Sequence, residues 1–214
     1  VGTQTEVLAD KIKSVLAVRH QCPALDSRWI DLCRFAADYY QRPLGEVAIP
    51  ALPKNLRVPK ATSLDRNLKK LAKLAPAQDA SAVQVPALNT QQQTAVDTIS
   101  ATSAFCAYLL HGVTGSGKTE VYLQTAARVL ARSEQTQVLI LVPEINLTPQ
   151  LEGNIRNRFP GLQIATLHSG MAEGERLLHW LAAHTGRARI ILGTRLAILS
   201  SLPHLKLIVI DEEH

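Results

Sequence analysis

Two short stretches hold residues whose types and spacing could do chemistry. The first is Gly112-Val113-Thr114-Gly115-Ser116-Gly117-Lys118-Thr119, which fits the pattern G-x-x-x-x-G-K-[ST]. Glycines let a backbone curl so that successive N–H groups point at one anion. The loop lies between the apolar run Cys106–Leu110 and the helical stretch "KTEVYLQTAARVLAR". A helix that opens at Lys118 adds its unpaired N–H groups and the positive end of its dipole. In such a loop Lys118 would reach the β- and γ-phosphates of a nucleotide, and the Thr119 hydroxyl would sit on Mg²⁺. A glycine-rich turn without a ligand is the plain alternative. The strand-like run before the loop and the helix after it weigh against that alternative.

The second stretch is Asp211-Glu212-Glu213-His214, delivered by the apolar run "LKLIVI". The C-terminal ends of strands are where open α/β sheets bind ligands. Asp211 would hold Mg²⁺ through its water shell, and Glu212 is placed to orient and deprotonate an attacking water. Adjacent carboxylates beside a triphosphate repel one another unless a cation lies among them. Alone, this cluster would read as a solvated strand end; paired with the phosphate loop it reads as the metal half of a nucleotide site. His214 is a candidate sensor of nucleotide state. No Asn-Lys-x-Asp guanine reader is present, and no arginine-rich lid of a small-molecule kinase stands out.

The elements that must position these residues can be read from hydropathy. Apolar runs of strand length occur at Cys106–Leu110 and at 137–143, 163–168, 188–194 and 205–211. Helical stretches separate them: "TQQQTAVDTISA", "KTEVYLQTAARVLAR", a segment starting near Pro149, and "GERLLHWLAA". Near-continuous apolar strands alternating with helices predict a parallel sheet covered on both faces. Residues 1–53 form a separate unit, with a strand over Ile12–Val18 and a helix capped by Asp26 or Ser27. Trp29, Leu32, Cys33, Ala36 and Tyr40 fall on one face of that helix, which predicts a core role for Trp29 and Tyr40 over a stacking one. Pro43 is expected to end the helix, and Pro50 and Pro53 to mark the next boundary.

The chain has 214 residues, 46% of them hydrophobic and 4% aromatic, so aliphatic side chains must build the core. Its three cysteines make neither a metal-ligand pattern nor an even disulfide set, which points to a reducing, cytoplasmic setting. No apolar run approaches the roughly 18 residues of a membrane span. The net charge of +5 comes wholly from residues 54–87, where seven Lys and Arg face two acids. That segment, including Lys69, Lys70 and Lys73, is either a solvated basic linker with a short helix or a contact for a polyanion. The chain begins without methionine and breaks off after an acidic motif, so it is expected to be a piece of a longer protein.

With these residues in view, the chain resembles the superfamily 2 DEAH-type helicases, and among them the replication-restart DNA helicases. The resemblance rests on "GVTGSGKTEVYL" (112–123), "LVPEINLTPQL" (141–151), "LHSGM" with "GERL" (167–177), "GTRLAIL" (193–199) and "VIDEEH" (209–214). It extends to "LNTQQQTAV" (88–96) and "FAADYYQRPLGEVAIPALP" (35–53). It implies an α/β, RecA-like first helicase lobe at 88–214, incomplete at its C-terminal end. Before it would come a basic linker at 54–87 and, at 1–53, the remainder of a small α+β N-terminal DNA-binding domain. It implies ATP and Mg²⁺ as cofactors, with Gln92 reading adenine, Gly112–Thr119 holding phosphates, and Asp211 and Glu212 as the Mg²⁺ and water-activating pair. It further implies Thr148, Gln150, Thr194 and Arg195 as contacts to single-stranded DNA. Arg195, on residue chemistry alone, serves equally as a phosphate contact or as a partner for a carboxylate.

As activity the resemblance implies ATP-dependent 3′→5′ unwinding at stalled forks and help in reloading the replicative helicase. The implied partners are DNA forks, primosome proteins and single-strand binding protein, with no membrane. The family's winged-helix domain finds no room between Pro53 and Asn89. Its zinc-binding cysteines, second lobe and arginine finger would lie beyond His214, so no zinc site is expected here and the 214 residues alone are not expected to unwind DNA. Another DEAH-type nucleic-acid motor, or a nucleotide- or DNA-binding module without turnover, are the competing readings.

Overall fold

The computed structural model describes residues 22–57, 61–73, 85–102, 104–113, 115–143 and 149–211, with side chains from Leu64 onward in the second of these spans. The strand expected at Ile12–Val18 and the functional assignments to Thr114, Thr148, Glu212 and His214 lie outside the described residues.

Helix α1 (Ser27–Tyr39) starts where Asp26 stands in extended backbone and accepts the Arg28 N–H at 2.8 Å. That bond satisfies one of the donors that every helix start leaves open. Its buried face is Trp29, Cys33 and Ala37. Trp29 donates its indole N–H to the Leu199 carbonyl at 2.8 Å. Tyr40, expected in this core, is 69% exposed. The helix ends at Tyr39 and Tyr40 is its cap, past the last buried residue, Ala37, so helical spacing places it without burying it. Helix α2 (Leu44–Ala51) follows with Pro43 at its N-cap and runs through Pro50 in its last turn, where the ring forgoes the bond an N–H would make to the Glu46 carbonyl.

After the single turn α3 (Lys54–Arg57), the basic segment forms helix α4 (Ala61–Lys73). It is not a free tether. Leu64 and Leu71 are buried in the same cluster as Leu177, Trp180 and Leu181. Lys69, Lys70 and Lys73 are exposed. The leucine spacing of this segment therefore buries one stripe and leaves the lysines outside it.

The remaining elements are α5 (Thr90–Ala101), α6 (Lys118–Ala131), β1 (Gln137–Leu141), α7 (Pro149–Arg158), β2 (Ile164–Leu167), α8 (Glu173–His184), β3 (Ile190–Gly193), a 3-10 helix η1 (Arg195–Leu199) and β4 (Leu205–Ile210). Among the described residues the strands make one parallel sheet in the order β2-β3-β1-β4. Successive strand residues face opposite sides. Val138, Ile140, Ile190 and Leu192 pack with Tyr122, Ala126 and Leu130 of α6, Ile155 of α7 and Phe159 just after it. Leu139, Leu141, Ala165 and Ile191 pack with α8 and α4. Both faces are covered, as continuous apolar strands require.

One expected strand is absent. Cys106–Leu110 lies outside the sheet, and Phe105 and Leu109 are 98% and 87% exposed. A strand needs a neighbour to complete its ladder of hydrogen bonds, and apolar content alone does not supply one. Strand β4, the edge on β1's other side, alternates between half-buried and exposed positions.

Candidate nucleotide site

The phosphate loop is built by backbone geometry. Gly115 and Gly117 have φ of +79° and +83°, a region that favours glycine. Gly117 is also the N-cap of α6, so the chain turns from the loop into the helix within one residue. A Cβ on Gly112 would lie 2.6 Å from Ser116 Oγ, and one on Gly117 would lie 2.4 Å from Gln92 Nε2. These positions form a tight cradle that side chains would fill. Lys118 folds back over it: its Nζ donates to the Gly112 carbonyl at 2.6 Å and to that of Val113 at 3.0 Å.

Gln92 links the start of its own helix to the loop. Its Oε1 accepts the Asn89 N–H at 2.9 Å, while Asn89 Oδ1 accepts the Gln92 N–H, which makes a reciprocal cap at the start of α5. Its Nε2 donates to the Ser116 carbonyl at 3.0 Å. Helix α5 is tied to α6 by an ion pair between Asp97 and Arg128, whose hydrogen bond holds the Asp97 carboxyl below its usual range. The residue expected to read the base is thus braced on the loop expected to hold phosphates.

The acidic strand end meets the same helix. Asp211 follows β4, and its N–H donates to the Leu141 carbonyl at 2.8 Å. Its Oδ2 accepts the Tyr122 hydroxyl at 3.1 Å. Tyr122 lies three residues after Thr119, one turn along α6 and so on the same side of the helix. The sequence reading gave Tyr122 no role. The spacing of Thr119 and Tyr122 behind the glycine loop was the signal that could have found it. Glu120 was also passed over. It accepts from Arg158 at 2.8 Å and from Gln124 at 2.8 Å, an enclosed pair that joins α6 to the end of α7. A cradle that Cβ atoms would fill, an ammonium at its mouth, the Thr119 hydroxyl and one carboxylate together form the donor set that a nucleotide and Mg²⁺ need.

The other expected contacts are spread along the C-terminal edge of the sheet. Gln150, in the first turn of α7, and Arg195, at the start of η1, are exposed. Thr194 is fully buried, with its N–H on the Leu167 carbonyl at 3.2 Å. His168 braces its own turn, with Nδ1 accepting the Gly170 N–H at 3.2 Å.

Residues 89–214 match the DEAD/DEAH box helicase family, and residues 1–53 match a 3′DNA-binding domain (3′BD). Relatives include three proteins named replication restart protein PriA. The one from Synechocystis sp. is 47% identical over 63% of this chain and 16% of its own length. That from Treponema pallidum is 35% identical over 94% of this chain and 29% of its own length. That from Haemophilus influenzae is 30% identical across a 278-residue alignment, covering 99% of this chain and 38% of its own length. That alignment is longer than this chain, so the relative carries residues with no counterpart here. The chain spans less than two fifths of each of these proteins. The phosphate cradle, the acidic end of β4 and these matches lead to one conclusion: the chain belongs to the DEAD/DEAH box helicase family, on the branch of the replication restart proteins PriA.

Proposed function

We propose that this chain supplies the ATP-binding lobe, with part of the DNA-gripping N-terminal domain, of a 3′→5′ DNA helicase that remodels stalled replication forks. In this reading residues 1–53, 54–87 and 88–214 are the DNA-binding remainder, the basic connection and the first motor lobe. One observation carries it: the Tyr122–Asp211 bond brings the acidic end of β4 to the helix that opens at Lys118, so both halves of the expected nucleotide site share one place.

Bound ATP–Mg²⁺ supplies the phosphoanhydride and the charge that balances it. The chain's part is to position both. Lys118 exchanges the Gly112 and Val113 carbonyls for phosphate oxygens. Thr119 and Asp211 hold the ion and its waters, Glu212 takes the proton of the attacking water, and Gln92 reads the base. Because Gln92 also holds Ser116, base recognition and loop shape are mechanically joined. Gln150 and Arg195 are exposed and fit to follow a DNA backbone, and Thr148 is the further contact of this reading. Thr194 is buried, with its N–H on the Leu167 carbonyl and its own carbonyl on the Ala197 N–H, so its part in this reading is to set the backbone from which Arg195 projects. Lys69, Lys70 and Lys73 add a screened attraction for phosphates. Primosome proteins and single-strand binding protein are the partners of this reading, and the cytoplasm is its setting. No described helix is long and apolar enough to cross a membrane.

The test is calorimetry of ATP–Mg²⁺ binding. Removing the ammonium in Lys118→Ala should weaken affinity by about tenfold or more, the scale of a lost charge-assisted hydrogen bond. Equal affinity in a folded variant would end the assignment. In the whole gene product, Glu212→Gln should keep binding and stop hydrolysis, and turnover at the original rate would place the water-activating group elsewhere.

A further inference from the structure

The tyrosine that follows the phosphate loop has chemistry that the nucleotide site needs. Tyr122 belongs to α6, one turn beyond Thr119, and is buried at 8% exposure in the core cluster that also holds Ile140, Leu192 and Ile155. A ring packed into a core leaves few directions open to its hydroxyl. That hydroxyl donates to Asp211 Oδ2 at 3.1 Å across 89 residues of sequence. The Asp211 backbone is fixed independently by its N–H on Leu141. The carboxylate therefore has its main chain set by β1 and one oxygen set by α6. A carboxylate that binds the water shell of a small, strictly octahedral cation gains from being held in one rotation before the ion arrives.

We infer that Tyr122 is a positioning residue for Mg²⁺: its hydroxyl orients the Asp211 carboxylate and couples the phosphate-loop helix to the metal-holding strand end. This rests on the assignment of Asp211 to Mg²⁺ made above. The functional consequence is specific. Nucleotide binding without metal draws on the loop, Lys118 and Gln92, whereas the Tyr122 hydroxyl bonds the Asp211 carboxylate. The gain in nucleotide affinity on adding Mg²⁺ runs through Asp211 and depends on Tyr122. A tyrosine that merely filled the core would affect stability and leave the metal dependence alone.

The experiment uses the full chain and two single variants, Tyr122→Phe and Asp211→Asn, with the double variant. Tyr122→Phe keeps the ring and removes one oxygen. Calorimetry with ADP, without metal and across a Mg²⁺ titration, gives two numbers per variant. Thermal unfolding gives a third. For Tyr122→Phe the metal-free affinity should stay within about twofold of the parent, and the Mg²⁺ concentration for half of the affinity gain should rise about three- to tenfold, the range set by one hydrogen bond to a charged group. Asp211→Asn should raise it further, and Tyr122→Phe should add nothing in the Asp211→Asn background, because the two act through one carboxylate. An unchanged Mg²⁺ requirement in Tyr122→Phe, alongside a raised one in Asp211→Asn, overturns the role of Tyr122 alone. An unchanged requirement in Asp211→Asn overturns the metal assignment beneath it. A parallel loss of metal-free affinity and melting temperature in Tyr122→Phe means a structural role only and also overturns the inference.

Discussion

Strand β1 and the run Cys106–Leu110 look alike in sequence: each is five residues long and mostly apolar. In the fold they are opposites. Every residue of β1 is buried, with β3 on one side, β4 on the other and a helical layer on each face. Cys106–Leu110 stands outside the sheet with Leu109 almost wholly exposed. Strand β4 lies between the extremes. It pairs with β1 along one side, and Ile208 and Ile210 remain 44% and 55% exposed. The lesson is that hydropathy states how much surface a segment can bury, while neighbours decide how much it does bury. Central strands acquire neighbours on four sides, edge strands on fewer, and a run without a ladder partner gains little of the burial that its composition allows.

The sharpest way to break this comparison is to truncate both runs. Leu139→Ala in β1 should cost about 2–5 kcal/mol, since it opens a cavity in a core with no room to collapse. Leu109→Ala should stay within about 0.5 kcal/mol, as surface substitutions do. Urea unfolding of both variants decides it. A large cost at Leu109 would mean that this run is packed in the working protein. The next contrast lies inside the phosphate loop. Alanine at Gly115 meets open space and should cost only the backbone strain of a positive φ, about 1–2 kcal/mol. Alanine at Gly117 adds a collision with Gln92 Nε2 and should cost about 1 kcal/mol more, with the Gln92–Ser116 bond lost. Equal costs at the two glycines would show that Gln92 yields freely, and would loosen the link between base and loop.

The smallest effect concerns the well-packed side of the sheet. Burial lowers the pKa of His179 and of His184 on α8. His184 bridges Pro23 and Ser201, with Nε2 on the Pro23 carbonyl at 2.8 Å and Nδ1 on the Ser201 hydroxyl at 2.9 Å. A depressed histidine pKa means that the unfolded chain takes up protons first as pH falls below about 6.5. Stability should therefore be full above that pH and drop as acid is added toward the folded-state values. Melting temperature followed from pH 7.5 to 5.5 should decline by a few degrees, and His184→Gln with His179→Gln should flatten the decline. A slope unchanged in that double variant would assign the loss to other groups.

Most of the candidate nucleotide site is written in the order of the sequence. The glycine spacing dictates positive-φ turns wherever the loop is found, and Lys118 follows directly, because these are local backbone requirements. The N-cap of α1 at Asp26, the start of α7 at Pro149 and the reciprocal cap of Asn89 and Gln92 follow from equally short-range chemistry. What the sequence could not state is which distant groups meet. The Tyr122–Asp211 bond spans 89 residues, the Arg158–Glu120 pair spans 38, and the docking of the basic helix α4 on α8 depends on a stripe supplied from another part of the chain. The exposure of Tyr40 and the exclusion of Cys106–Leu110 from the sheet are of the same kind. Local geometry is fixed by the sterics of a few consecutive residues, so it is written along the chain. Burial, long-range hydrogen bonds and strand partnership depend on which surfaces fold against each other, and only the tertiary structure decides that.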